Sequence, residues 1–591
     1  MQNSIEKKQL VFKLILGLIF LILIGRCFQL QIFNWEKYYR ESEKNRIREV
    51  RIQAPRGLML DRHGEILVDN RPVYSISVIP YEFLKSKNAI NLFANLLQQP
   101  SDYLIKKINQ ERVGIFTPVK IKKQINFREL SFIEEYKLDL PGLLFNTESR
   151  RFYPSKVRAP HLFGYVGEIT RKELKVKKKD GYRLGDLIGK NGLELTYEDY
   201  LRGIDGIHYV EVDALGREVR DLTELEWYDP VPGKNLILSI DANLQRYLEK
   251  ALLGKRGAAV VMDPRNGEIL AMVSKPDYDP EIFSRPITSE IWQKLINDEG
   301  KPLYNRVSQS LYPPGSTFKL VLAMAALETG RVDPGEKFFC PGYFKLGWRN
   351  FDCWKKGGHG WVNLYEAIEQ SCNVYFYNLM LKVGLDLWAK YARIFHFGKP
   401  TGIDLPNEAS GLVPDKSFLD KKYGLQGWTK GLLLNMAVGQ GDLLVTPLQM
   451  AYFAMILANE GVAYKPHLVQ KIVDAKTNDF VLIPKVMVKM PRISRATYEK
   501  IRQGMFLVVN GEHGTARSAA IEGIEVCGKT GTAENPHGKP HAWFIGFAPK
   551  IHPVVAFCIM IENGGSGGAV AAPIARGLLS LIFKEKEYVS K

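Results

Sequence analysis

The sequence predicts an α+β chain with an apolar span near its N-terminus, and three observations carry that reading. Residues 10–30 form one long, mostly apolar run. A loop, Asp229-Pro230-Val231-Pro232-Gly233, divides a glycine-punctuated region of short strands from a more tightly patterned one. In the second region, strand-like runs at both ends bracket a helix-rich middle, the order expected of helices layered on an antiparallel sheet.

The apolar run is long enough to cross a bilayer, which takes about 20 helical residues. Positions 14–25 carry no charge, and Lys13 and Arg26 near the ends can extend to the interface. The run leaves through Arg26-Cys27-Phe28-Gln29, which lacks the small residues of a signal-peptide cleavage site, so a retained anchor is expected. Basic residues flank both sides: Lys7 and Lys8 before, and Lys37, Arg40, Lys44, Arg46 and Arg48 after. Charge asymmetry therefore does not orient the span.

Residues 33–235 read as β-rich and irregular. Asp61-Arg62-His63-Gly64 is a turn between two short strands, and glycines recur at Gly164, Gly167, Gly189 and Gly192. After the loop come a strand at 236–240, a helix at 242–252, and a hairpin of 258–262 and 268–274 around Asp263-Pro264-Arg265-Asn266-Gly267. Strands are expected at 524–533, 542–549 and 554–562. A Gly564–Gly568 loop and an apolar helix at 575–583 follow.

The chain has 591 residues, 46% hydrophobic and 25% charged, which is globular composition with room for two to four domains. Its formal net charge of +17 favours anionic partners. No zinc-finger, RNA-recognition or helix-turn-helix signature accompanies the charge, so no nucleic-acid partner is expected. The densest basic stretch, Lys172 to Lys179, reads as a solvated loop. Six cysteines are too few for a disulfide scaffold, but Cys340, Cys353 and Cys372 fall in one short stretch of the chain.

The chemistry-bearing residues begin with Ser316-Thr317-Phe318-Lys319 after Pro313-Pro314-Gly315. Serine and lysine three apart on a helix share a face, and a serine hydroxyl becomes a nucleophile only when a base takes its proton. Alone the pattern is weak, because Ser4-Ile5-Glu6-Lys7 has it too. Ser371-Cys372-Asn373 comes next, between two helical stretches, and Lys529-Thr530-Gly531-Thr532 follows much further on, on a strand. Ser-x-x-Lys, Ser-x-Asn and Lys-Thr-Gly in this order and spacing resemble the signature set of penicillin-binding proteins and serine β-lactamases.

The resemblance extends over nearly the whole chain to class B high-molecular-weight penicillin-binding proteins. Arg56-Gly57 with Asp61-Arg62-x-Gly64, Arg151-Phe152-Tyr153-Pro154 and Gly189-x-x-Gly192-Leu193-Glu194 look like their pedestal motifs. Lys355 to Gly360 (KKGGHG) is similar to a segment of the elongation-type penicillin-binding protein 2 group. The resemblance implies residues 1–9 as a cytoplasmic tail, 10–32 as a transmembrane anchor, 33–235 as a pedestal and partner-docking domain, and 236–591 as a transpeptidase domain outside the bacterial inner membrane. It implies Ser316 as the acylated nucleophile, Lys319 as its base, and Ser371 as a relay towards the leaving amine. Asn373 would position the substrate amide, Lys529 supply positive charge, Gly531 complete the strand motif, and Thr530 and Thr532 bind the terminal carboxylate. The backbone N–H groups of Ser316 and Thr532 would form the oxyanion hole.

The implied activity is D,D-transpeptidation of peptidoglycan stem peptides during cell elongation, blocked by β-lactams and needing no cofactor. The implied partners are a SEDS-family glycan polymerase and morphogenetic membrane proteins. A D,D-carboxypeptidase shares the acyl-enzyme, and a non-catalytic assembly scaffold would share the fold. A class A β-lactamase would need a deacylating glutamate, and no Glu-x-x-x-Asn stands between Ser371 and Lys529. No glycosyltransferase motif appears in 33–235, and no extension is expected beyond the last helix.

A separate reading comes from the cysteines. Cys340, Cys353, His359 and Cys372, in the pattern Cys-x12-Cys-x5-His-x12-Cys, offer three thiolates and an imidazole, a set that suits structural zinc. Two alternatives stand beside it: a Cys340–Cys353 disulfide in an oxidising compartment, and a plain core role for Cys372 with His359 on the surface.

Overall fold

Residues Gln2–Phe28 form one α-helix, continued by a π-helical turn over Gln29–Phe33. Every large apolar side chain from Leu10 to Ile24 is exposed. A soluble amphipathic helix buries one stripe; a helix apolar on all sides with nothing packed on it has the character of a membrane span, and this one is of spanning length over Leu10–Phe33. The computed structural model describes residues 2–589 except 113, 117, 123, 184, 213–217, 223–226, 286 and 426.

The chain divides into two compact units. The first comprises Met1–Pro55, Pro72–Arg150 and Gly203–Pro232. It has its own core, in which Ile76, Val78, Phe83, Phe93 and Ile108 are buried together. Helices Lys87–Leu97, Ser101–Glu111 and Phe127–Glu135 accompany its strands. The sequence reading placed no helices there, although each has a helix-period apolar face. Two of their starts are also chemically marked. Ser86 accepts from the Ala89 N–H at 3.2 Å, and Asn126 with Glu129 closes a capping box.

The second unit comprises Arg56–Arg71, Arg151–Arg202 and Gly233–Lys591. Two segments from before the 229–233 loop thus belong to the same unit as everything after it. What gathers them is a buried ion-pair knot built from the three pedestal-like motifs. Arg56 bonds Glu194 at 2.6 Å and Glu198 at 2.7 Å, and Arg151 bonds Glu194 at 2.7 Å and the Gly57 carbonyl at 2.7 Å. Burial works against the Arg56 charge, but the two carboxylates outweigh it and hold the guanidinium above its ordinary range.

The centre of this unit is a five-stranded antiparallel sheet in the order Ile269–Lys275, Gly257–Met262, Val555–Ile561, His541–Ala548, Cys527–Ala533. The Gly257–Met262, Ile269–Lys275 and Val555–Ile561 strands are buried along their full length, because helices cover both faces. Helix Pro447–Ala458 packs on the central strands, and Gly567–Val589 packs on the sheet beside Ala242–Ala251. The final helix begins at Gly567, inside the stretch expected as a loop; Gly567 lies so close to the Trp543 carbonyl that a Cβ would sit 2.1 Å from it. The Lys172–Lys179 stretch is also not a loop. Arg171–Lys177 is helical, since Thr170 and Glu173 form a capping box that starts it.

Candidate active site and thiol cluster

Ser316 lies in a 3-10 turn, Gly315–Phe318, that leads into the buried helix Lys319–Glu328. The turn is held from two sides. Gly315, at φ +57°, donates its N–H to the Gly439 carbonyl at 2.9 Å, and Thr317 Oγ1 donates to the Pro314 carbonyl at 2.8 Å. Gly439 has no room for a side chain, because a Cβ there would lie 2.0 Å from the Gly315 carbonyl oxygen.

One turn after Ser316, Lys319 is fully buried. Its Nζ lies 2.9 Å from the Ser371 carbonyl, 3.3 Å from Ser371 Oγ and 2.7 Å from Asn373 Oδ1. Burial pushes its pKa down to about 8, against the upward pull of nearby thiolates. A larger neutral fraction near pH 7 is what a general base needs.

Ser371 sits between helices Leu364–Glu369 and Asn373–Val383 in the left-handed region, φ +55°. A non-glycine residue there carries roughly 1–2 kcal/mol of strain, and such strain persists where surroundings over-determine it. Here the Cys372 N–H is tied to the Ala367 carbonyl at 3.0 Å, and Cys372 is wholly buried. The Asn373 amide is fixed at both ends: Oδ1 accepts from Lys319, and Nδ2 donates to the Asp352 carbonyl at 3.2 Å.

Lys529, Thr530, Gly531 and Thr532 occupy the Cys527–Ala533 strand at the sheet edge. An edge strand leaves N–H and C=O groups available for an extended peptide. Lys529 is fully buried, its Nζ 3.1 Å from the Thr530 carbonyl, and burial together with the Lys319 charge pushes its pKa well down. Gly531 lets the strand meet the serine turn, since a Cβ there would lie 2.9 Å from the Pro314 carbonyl and 3.0 Å from Thr317 Cγ2. Thr532 is exposed. The three motifs are thereby gathered: serine turn against strand, lysine against the Ser371–Asn373 loop.

Other residues of the site went unread in the sequence. Thr515 Oγ1 lies 2.8 Å from Thr530 Oγ1, and Glu369 Oε1 accepts the His513 N–H at 3.0 Å, holding the loop that carries Thr515. The turn-rich run Gly511-Glu512-His513-Gly514-Thr515 was the available signal, but nothing in it announces a contact to a strand beginning at Cys527.

Beside the Ser371–Asn373 loop, Cys340, Cys353, His359 and Cys372 bring one ligating atom each to within 4.8 Å of one another. His359 Nδ1 lies 3.5 Å from both Cys340 Sγ and Cys353 Sγ. Bond lengths of about 2.3 Å to sulfur and about 2.0–2.1 Å to nitrogen at tetrahedral angles put S and N about 3.5–3.6 Å apart, so the spacing fits a zinc-sized tetrahedral ion. Among the described residues, His359 Nε2 is buried without a hydrogen-bond partner, and the ring nitrogens make their hydrogen-bond contacts within the cluster. All three cysteines are free, and His359 is half-buried against two of them, which differs from both the disulfide and the surface-histidine readings. Hydrogen bonds from Cys372 and then from the His359 ring hold Cys340 and Cys353 below the ordinary thiol range.

Comparison with known proteins agrees with this architecture. A family described as the penicillin binding protein transpeptidase domain matches residues 257–580, and one described as the penicillin-binding protein dimerisation domain matches residues 51–238. The peptidoglycan D,D-transpeptidase MrdA of Haemophilus influenzae is 32% identical over 99% of this chain and 93% of its own length; that of Acinetobacter baumannii is 36% identical over 93% and 84%. Among solved structures, a complex between penicillin-binding protein 2 and MreC from Helicobacter pylori aligns with a TM-score of 0.78 at 31% identity, covering 90% of this chain and 99% of that one. A structure titled as the coordination of polymerization and crosslinking by a peptidoglycan synthase complex aligns at 0.72 with 30% identity, over 96% and 97%. With its transpeptidase and dimerisation domains and its likeness to these relatives along almost its whole length, the chain belongs to the class B penicillin-binding proteins.

Proposed function

We propose that the chain is a peptidoglycan D,D-transpeptidase that forms an acyl-enzyme at Ser316. The observation that carries the residue assignment is the meeting of Lys319 Nζ with Ser371 Oγ and Asn373 Oδ1 beside the serine turn. The donor stem peptide lies along the open edge of the Cys527–Ala533 strand, with its terminal carboxylate towards Thr532 and Thr530 and Lys529 behind them. Neutral Lys319 takes the Ser316 proton as Oγ bonds the carbonyl carbon of the penultimate D-alanine. The backbone N–H groups of Ser316 and Thr532 receive the oxyanion. The C–N bond then breaks, and a proton passed through Ser371 leaves with the terminal D-alanine amine. An amine of a second stem peptide attacks the ester, gives up its proton by the same route, and releases Ser316. A β-lactam follows the first half of this sequence and remains attached.

Zinc is the proposed occupant of the thiol cluster, held by Cys340, Cys353, His359 Nδ1 and Cys372; the donor set and its spacing support it. When bound, it supplies a structural cross-link and takes no part in acyl transfer. Cys372 separates Ser371 from Asn373, so what the cluster holds is the loop that faces Lys319.

The Leu10–Phe33 helix is proposed to anchor the chain in the inner membrane, with residues 236–591 on the wall side, where the substrate is. Residues 33–235 are proposed to dock an MreC-like morphogenetic membrane protein and a SEDS-family glycan polymerase. The related structures with MreC and of a peptidoglycan synthase complex support that reading. The decisive experiment is labelling of the full chain with fluorescent penicillin. Label is expected on the wild type and absent from folded Ser316→Ala; covalent label on that variant would overturn the nucleophile assignment.

A further inference from the structure

Between the first two cysteines of the cluster, the chain makes a β-hairpin, Tyr343–Leu346 paired with Arg349–Asp352, whose tip is Gly347-Trp348. Its base is fixed to the catalytic loop, since the Asp352 carbonyl accepts from Asn373 Nδ2 at 3.2 Å and from the Tyr377 hydroxyl at 3.3 Å. Its tip stands over a cleft of about 520 Å³ whose walls include Trp348, Arg349, Phe351, Tyr423, Trp428 and Lys430. Nothing in the proposed acyl transfer uses these side chains.

The walls are built rather than incidental. The Trp428 indole is held by its N–H on Asp420 Oδ1 at 2.7 Å, and the Tyr423 hydroxyl on Asp442 at 2.7 Å. Trp348 is 95% exposed, an unusual placement for the largest apolar side chain on a short ordered hairpin. Aromatic faces with cationic donors at the rim suit a ligand that has an apolar face and a polar, anionic edge. A pyranose ring has such a face in its C–H bonds. The N-acetylated amino sugars from which stem peptides hang add hydroxyls, an amide and the carboxyl-bearing peptide.

One helix links the cleft to the serine turn. Helix Lys430–Ala437 starts at the cleft wall, and the chain after it reaches Gly439, the residue bonded to Gly315. A helix of that length spans roughly 12 Å.

We infer that the cleft between the Trp348 hairpin tip and the side chains of Tyr423, Trp428 and Lys430 is a saccharide subsite for the amino-sugar backbone of the donor strand. The inference rests on the transpeptidase reading. Trp348 and Trp428 stack on the ring, and Arg349 and Lys430 meet its anionic side. The subsite lets the enzyme select stem peptides that are attached to glycan over free peptides.

The test uses the full chain in detergent. A peptide-free oligosaccharide of alternating N-acetylglucosamine and N-acetylmuramic acid is titrated against intrinsic tryptophan fluorescence, and turnover is compared on glycan-linked and sugar-free stem peptides. Saturable binding is expected in the wild type and weakening of at least tenfold in Arg349→Ala. The ratio of kcat/KM for glycan-linked over sugar-free peptide should fall at least tenfold in Trp348→Ala and in Arg349→Ala, through KM. Both side chains are on the surface, so neither variant threatens the fold. A wild type that ignores the oligosaccharide, or a ratio unchanged in both variants, overturns the subsite. Penicillin labelling separates the two readings: a wild type that labels but ignores saccharide removes the subsite alone, and one that does not label removes the transpeptidase reading itself.

Discussion

The backbone N–H of Asn373 points at Cys353 Sγ over 3.4 Å. The same residue's side-chain oxygen holds Lys319, so a single asparagine joins the thiol cluster to the buried lysine. The first prediction follows from that link. Purified full chain should carry about one zinc per molecule by elemental analysis, and Cys353→Ser should lose it. Freed from its anchor, the Ser371–Asn373 loop should misplace the lysine's partners and lower the second-order rate of penicillin acylation by about tenfold or more, as displacements near about 1 Å do. Metal-free wild type with full acylation would remove the zinc proposal.

The acylation rate should depend on pH through Lys319. Its neutral form is the proposed base, and burial lowers its pKa from 10.5 to about 8. At pH 7 the neutral fraction is then roughly one tenth, against about one in three thousand for an ordinary lysine. The second-order rate should rise about tenfold per pH unit below 8 and flatten above it. Lys319→Ala should lose most of the acylation and this profile with it, read by stopped-flow labelling across pH 6 to 10.

Ser371→Gly should separate stability from chemistry. Glycine takes φ +55° without the Cβ penalty, so thermal or denaturant unfolding should show a gain of about 1 kcal/mol. The variant also loses the hydroxyl 3.3 Å from Lys319 Nζ. Removing a positioned proton-transfer group costs about 10²–10⁴ in rate. A variant both more stable and catalytically poor is the expected result, and unchanged acylation would deny Ser371 a part in it.

Glu194→Ala should weaken the fold without touching the site. It strips one carboxylate from two buried guanidinium groups, Arg56 and Arg151. Removing one partner of a buried pair costs about 3–5 kcal/mol. Urea unfolding should show a loss of that size. The conservative Glu194→Gln, which keeps hydrogen-bond acceptance but not charge, should lose less.

Local patterns in the chain already marked the residues proposed here to carry the chemistry, and the family resemblance implied their roles. Ser316, Lys319, Ser371, Asn373 and the Lys529–Thr532 motif stood out because they form three short patterns in a fixed order. The apolar span and the antiparallel hairpin at 257–275 were readable for the same reason: periodicity and turn residues act within a few positions. What those patterns meet was settled by the folded chain. Arg56, Arg151, Glu194 and Glu198 share one buried knot although they lie far apart along the sequence. Thr515 reaches Thr530, and Gly439 backs Gly315, through contacts that no spacing encodes. The left-handed conformation at Ser371 is likewise invisible in the residues that flank it, because it is imposed by two helices that converge there. Local preference is written along the chain, whereas a buried charge, a strained dihedral or a four-ligand cluster is stable only when distant segments supply its partners at once.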